Sequence, residues 1–142
     1  MSGTDCCADA AVRNAIGRLA LLADEGELTD YLDQFCPDAV WRMPASPAVS
    51  LPAQERAGRA EIADGVTQRR ASGLQGPGSA TRHVVSSSVI DLTDDRARAR
   101  SYFRFYRNTD GRPELVSMGT YRDEFHLVDG RWLLAERTIG IG

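Results

Sequence analysis

Two residues of this chain, Asp24 and His83, stand where simple side-chain logic would not place them. Asp24 continues the series Val12, Ile16, Ala20 by one further i+4 step, at the edge of an apolar helical stripe. It also falls at the C-terminal end of that predicted helix, where the macrodipole disfavours a carboxylate. A carboxylate facing inward against its dipole needs a partner or a purpose. The plain alternative is a helix that frays at Ala23, leaving Asp24-Glu25 in a solvated turn. His83 opens the first long strand and shares a parity with Val85, Ser87 and Val89, on the face that must meet the helices. An imidazole there is a candidate acid–base group near neutral pH, or else a satisfied strand-end histidine. The other histidine, His126, alternates with Glu124 and Val128 beside the Asp129-Gly130 turn and reads as the exposed end of a hairpin.

The remaining chemistry is mostly excluded. All 17 basic residues are Arg, so Schiff-base and P-loop lysine chemistry have no ε-amine to use. Three cysteines (Cys6, Cys7, Cys36) and two histidines lack zinc-ligand spacing, and a vicinal Cys6–Cys7 disulfide would be strained. The expectation is therefore no metal and no disulfide framework. No G-x-G-x-x-G, no G-x-S-x-G and no Cys–His pair in context occurs, which argues against redox cofactors and acyl-enzyme chemistry. The carboxylate–arginine cluster expected for epoxide opening has no evident place on the strand at 97–107. Trp41, Trp132 and Tyr121 read first as core, with Trp41 and Tyr121 also able to line a cavity mouth.

The elements that must position Asp24 and His83 divide the chain in two. With 142 residues, 42% hydrophobic and 26% charged, it has the size and composition of one globular domain with a core of its own. A net charge of −3 leaves no footprint for nucleic acid. No apolar run reaches membrane-spanning length, and the N-terminus lacks a signal-peptide pattern, so the expected compartment is the cytoplasm. A first helix is predicted with Thr4 or Asp5 as cap, an apolar face of Val12, Ile16, Leu19, Ala20 and Ala23, and Gly26 as a left-handed stop. A short helix follows over residues 28–34, then a strand at 39–43. Residues 44–57, with Pro44, Pro47 and Pro52, suit an irregular lid or crossing loop. A third helix is predicted over 59–71.

From residue 84 the pattern changes to strands, at 84–92, 97–107, 115–128 and 131–141, with Asp129-Gly130 as the strongest hairpin signal. In the 97–107 strand, Ala97, Ala99, Ser101, Phe103 and Phe105 share one face. Arg96, Arg98, Arg100, Tyr102, Arg104 and Tyr106 share the other. That basic, aromatic face reads as the outside of a sheet, solvated or buried between subunits. Helices first and an antiparallel meander afterwards make an α+β domain with helices on one face of a twisted sheet.

Three stretches, LALLADEGELTDYLDQFCPDAVW, RHVVSSSVIDLTDDRARARSYFRFYR and MGTYRDEFHLVDGRWLLAERTI, resemble the SnoaL-like, nuclear-transport-factor-2-like superfamily. The resemblance runs from about Ala10 to Ile139, and within the superfamily it is nearest to scytalone dehydratase and hexachlorocyclohexane dehydrochlorinase. It implies a cone: a strongly bent antiparallel sheet wrapped by three N-terminal helices around one deep, mostly apolar pocket. In those relatives an Asp near the end of the first helix pairs with a His at the start of the long strand. Counting back from Trp41 puts Asp24 at the Asp position, and the Arg-His match puts His83 at the His position. Tyrosines that hold water in the dehydratase correspond here to Ala23 and, approximately, Met43, and the dehydrochlorinase's basic residue corresponds roughly to Leu19.

The implied activity is cofactor-free general acid–base catalysis: a lyase or isomerase in which His83 moves a proton and Asp24 orients it. Trp41, Met43, Phe103 and Tyr121 would bind an apolar hydroxy-carbonyl, polyketide, steroid or terpenoid-like substrate. The alternative that the resemblance also admits is a non-catalytic ligand-binding or scaffold subunit, like the small subunit of ring-hydroxylating dioxygenases. In either case the arginine-rich face is the expected self-association surface of a dimer or trimer.

Overall fold

Period-two alternation through the second half of the chain builds one curled, unclosed six-stranded sheet. The computed structural model describes residues 3–47 and 50–142, with side chains from Cys6 onward. Strands β1 (Phe35–Met43), β2 (Gln54–Ala57), β3 (Arg82–Thr93), β4 (Arg96–Arg107), β5 (Glu114–Val128) and β6 (Arg131–Ile141) lie in the order β2-β1-β6-β5-β4-β3. All neighbours are antiparallel except β1 and β6, which run parallel. Helices α1 (Gly3–Glu25), α2 (Leu28–Leu32) and α3 (Arg59–Ala71) cover the inner face. This is the expected α+β arrangement.

The core explains the pattern. Val12, Ile16, Leu19 and Ala23 of α1 are buried against Phe35, Val66, Phe125 and Leu134. Each such large side chain contributes about 1.5–3 kcal/mol on burial. Ala97, Ala99 and Ser101 on β4 are small and buried, the two alanines in the cluster that includes α1, whereas Phe103 belongs to a second cluster with Tyr121 and Ile139. Large side chains at one end of the strand and small ones at the other leave a cavity between helices and sheet.

Five local expectations are corrected. Ser87 has φ +58°, and the β3–β4 register shifts between Ser86 and Val89. This bulge reverses the strand's parity. His83 and Val85 face inward, but beyond it Ser88, Ile90 and Leu92 do, while Val89 is 61% exposed. Ser88 Oγ then meets Ser101 Oγ at 2.7 Å. Gly26 is not left-handed. Its N–H still donates to the Leu22 carbonyl at 3.0 Å, and a Cβ there would sit 2.9 Å from the Leu22 Cα, so the backbone approach favours glycine.

The helix begins at Gly3, which puts Thr4 and Asp5 within its first turn; their side chains lie outside the described residues. The segment expected to be irregular ends in strand β2, which contains none of the three prolines and so keeps its N–H groups for pairing with β1. β1 itself begins four residues earlier than predicted, at Phe35, and Pro37 is accommodated where its register with β6 is irregular. The β5–β6 turn is as read: Asp129 (φ +49°) and Gly130 (φ +78°) form a two-residue hairpin.

Candidate active site

Asp24 ends up buried, with only 4% of its surface exposed, so the helix does not fray at Ala23. Its Oδ2 accepts the backbone N–H of His83 at 2.9 Å, and its Oδ1 lies 2.6 Å from His83 Nδ1. The two hydrogen bonds meet the need of a carboxylate buried at a helix C-terminus. Next door, Glu25 and Arg82 form an ion pair on the surface, a second tie between the end of α1 and the start of β3. An ionised carboxylate can only accept, so in the neutral imidazole Nδ1 carries the proton and Nε2 keeps its lone pair. Phe105 flanks the ring at 4.6 Å between centroids.

His83 lines a cavity of about 440 Å³. The same wall carries Trp41, Met43, Phe103 and Tyr121, the four residues expected to contact a ligand. Phe103 and Tyr121 stack at 4.5 Å with their planes 13° apart, which makes a flat aromatic surface on the sheet side. Leu19, Ala23 and Met43, which replace the polar helpers of the resembling enzymes, also line the space. Leu51 and Gln54 reach it from the segment before and within β2. His126 lies elsewhere, 3.9 Å from Glu124 on the same strand. Among the described residues, no group of three His, Cys, Asp or Glu side chains gathers in a way that could hold a metal.

Sequence reading missed four polar groups at this cavity. Arg137 donates to both carboxylate oxygens of Asp123 at 2.7 and 2.9 Å, in a fully sequestered pair, and its guanidinium sits 3.9 Å from the Tyr121 ring centroid. Burial alone would lower the Arg137 pKa, but the charge and hydrogen bonds of Asp123 outweigh it and hold the guanidinium above its usual range. Tyr31, on the short second helix, is buried at the cavity wall; burial raises its phenol pKa, as it does for Tyr121. Both phenols therefore stay neutral donors.

The third and fourth are Arg69 and Gln75. Arg69 Nε donates to Gln75 Oε1 at 2.8 Å, and its Cζ lies 5.2 Å from the Trp41 ring centroid. Desolvation, aided by the nearby charge of Arg56, lowers the Arg69 pKa. The only sequence signal for either was the Arg69-Arg70 pair in the last turn of α3, which reads equally well as a dipole-stabilising helix end.

A curled, unclosed six-stranded sheet covered by three helices defines a fold class, the cystatin-like arrangement of NTF2-like proteins. Within it, the chain belongs to the SnoaL-like domain family, whose sequence profile matches residues 5–138. No functionally curated protein matches it.

Three solved structures illustrate the range of similar proteins. A candidate scytalone dehydratase from Novosphingobium aromaticivorans is 20% identical over 100% of this chain and 89% of its own, with a TM-score of 0.78. The beta subunit of a candidate aromatic-ring-hydroxylating dioxygenase from the same organism is 24% identical, over 97% and 91%, with a TM-score of 0.76. A protein from Catenulispora acidiphila in complex with S-DNPA is 26% identical, over 96% and 94%, with a TM-score of 0.76. Among the described residues, no helix is long and apolar enough to cross a membrane.

Proposed function

We infer that this protein is a small-molecule lyase or isomerase working by general acid–base catalysis without a cofactor. The observation that carries the reading is the pair of hydrogen bonds that Asp24 accepts from His83, which leaves one imidazole nitrogen for a mostly apolar cavity. Neutral His83 takes a proton from carbon next to a carbonyl through Nε2. Asp24 holds the ring in that tautomer and stabilises the imidazolium that forms. The imidazolium then returns the proton, either to a departing hydroxyl, giving water and an alkene, or to a different carbon, giving an isomer. Neither outcome changes oxidation state overall, so the balance closes with no redox partner. The cavity's size and aromatic walls suit a ring-containing hydroxy-carbonyl compound, and the likeness to a candidate dehydratase and to an S-DNPA complex supports a ligand site.

The test is hydrogen–deuterium exchange at the α-carbon of ring ketones such as 2-tetralone in heavy water, followed by NMR. Wild-type protein should accelerate exchange by about 10²–10⁴-fold over His83→Gln, the usual contribution of a positioned acid–base group. Equal rates in the two proteins would remove the catalytic reading. A second reading, a non-catalytic scaffold subunit, is supported by the dioxygenase beta-subunit likeness and by exposed Val84, Tyr102 and Met118 on the outer sheet face. That reading expects inert protein that associates with itself or a larger partner through this face.

A further inference from the structure

We propose that Arg69 and Gln75 together hold the carboxylate of an aromatic or polycyclic acid bound in the cavity. The inference rests on the cavity being a ligand site, and does not depend on proton transfer by His83. It begins with the end of α3. Leu74 N–H bonds to the Arg69 carbonyl at 2.9 Å and Gly73 N–H to the Arg70 carbonyl at 3.1 Å, with Gly73 at φ +72°. This is the Schellman geometry that turns a chain back on its helix. Gly76, at φ +98°, then lies so close to the Arg70 stem that a Cβ would approach its Cγ to 2.8 Å. Gln75 is thereby held beneath the helix end, 7% exposed, at the cavity wall.

The hydrogen bond from Arg69 settles which way the Gln75 amide points. A guanidinium only donates, so the atom 2.8 Å from Arg69 Nε is the amide oxygen. Gln75 Nε2 faces away from that bond, buried and with no hydrogen-bond partner. A buried amide NH₂ left unpaired is uncommon and calls for an acceptor. Arg69 makes the same demand by charge. Arg13, Arg42, Arg82, Arg107 and Arg137 all pair with carboxylates, but among the described residues none lies within 4.0 Å of Arg69.

Arg56 deepens the deficit: a Cβ on Gly65 would sit 3.2 Å from Arg56 Nε and 3.3 Å from Arg69 Nη1, so two guanidinium groups converge there. A role for Arg69 at the helix dipole accounts for its charge but not for the idle amide beside it. One carboxylate, with two acceptor oxygens, satisfies both. Trp41, Phe103 and Tyr121 on the adjoining walls call for a flat apolar body behind it.

Calorimetric titration with 2-naphthoate and its neutral analogue 2-naphthamide tests this. Wild-type protein should bind the acid about tenfold or more tightly than the amide, the ordinary advantage of hydrogen bonds to a charged group. That ratio should fall to near one in Arg69→Met, persist in part in Arg69→Lys, fall in Gln75→Leu and stand unchanged in His83→Gln. Thermal unfolding of each variant checks that it is folded, and the Lys and Leu variants carry the test should Met not fold. Equal affinities in wild type, or an undiminished ratio in folded Arg69→Met, overturns the proposal. A ratio lost in His83→Gln but kept in Arg69→Met assigns the cation elsewhere and overturns it too. Failure of both probes to bind at millimolar concentration overturns it together with the ligand-site reading. Naphthoate binding without any catalysed exchange leaves it standing while the lyase reading falls.

Discussion

Asp24 and His83, 59 positions apart in the chain, are joined by two hydrogen bonds, one to the backbone N–H and one to the ring. The backbone bond ties the second residue of β3 to the end of α1, and the side-chain bond fixes which ring nitrogen faces the cavity. Converting Asp24 to Asn keeps the shape but replaces a pure acceptor with a group that also donates. Nitrogen-15 NMR of the His83 ring should show a single Nδ1–H tautomer in wild type and a mixture in Asp24→Asn. Catalysed exchange should fall by about 10²–10⁴-fold in the variant. A wild-type ring with its proton on Nε2 would count against the proposed role.

The Asp123–Arg137 pair lies on two adjacent strands and is almost wholly shielded from water. Removing one partner strands a buried charge. Asp123→Asn should therefore lower stability by about 3–5 kcal/mol in urea unfolding. The double change Asp123→Leu with Arg137→Met should recover most of that loss, because two apolar side chains need no compensation. A single-variant loss below about 1 kcal/mol would mean that water reaches the pair.

Burial raises the Cys36 thiol pKa, and the charge of Asp38 adds to the effect, whereas Cys6 and Cys7 are exposed. Iodoacetamide at pH 8 should modify Cys6 and Cys7 in the native protein and Cys36 only after unfolding, as peptide mapping would reveal. The same shift carries a stability consequence. Above the ordinary thiol pKa, about 8.5, the unfolded chain gives up the Cys36 proton while the fold retains it. Stability should thus fall as pH rises through that range, and Cys36→Ser should flatten the slope.

Ser87, at φ +58°, carries the β3 bulge without being glycine. Ser87→Gly should be neutral or stabilising within about 1 kcal/mol, as relief of the left-handed strain offsets added chain entropy. Ser87→Val should cost about 1–2 kcal/mol, since a β-branched residue tolerates that backbone poorly. Thermal melts should place Ser87→Val below both the wild type and Ser87→Gly; coincident melts of the two variants would mean the bulge relaxes freely.

Much of this architecture is legible in residue order because it depends on local periodicity. The alternation from Ala97 to Phe105 predicts both faces of β4, the stripe through Val12 and Leu19 predicts the buried side of α1, and Asp129-Gly130 predicts its hairpin. Asp24 and His83 could be singled out because each breaks its local pattern. A carboxylate sits at the wrong helix end, and an imidazole sits on an inward face.

Arg69, Gln75, Asp123 and Arg137 break no such pattern. Asp123 and Arg122 merely alternate along a strand, and a glutamine between Leu74 and Gly76 looks like any loop residue. What makes them unusual is what stands opposite, and that follows from strand register and from a Schellman turn. Ser87 shows the limit most directly: one inserted residue moved Val89 outward and Ser88 inward, although the sequence alternation alone pointed the other way. Periodicity is a property of one segment and can be read there. Pairing is a property of two segments brought together, and only the folded chain decides it.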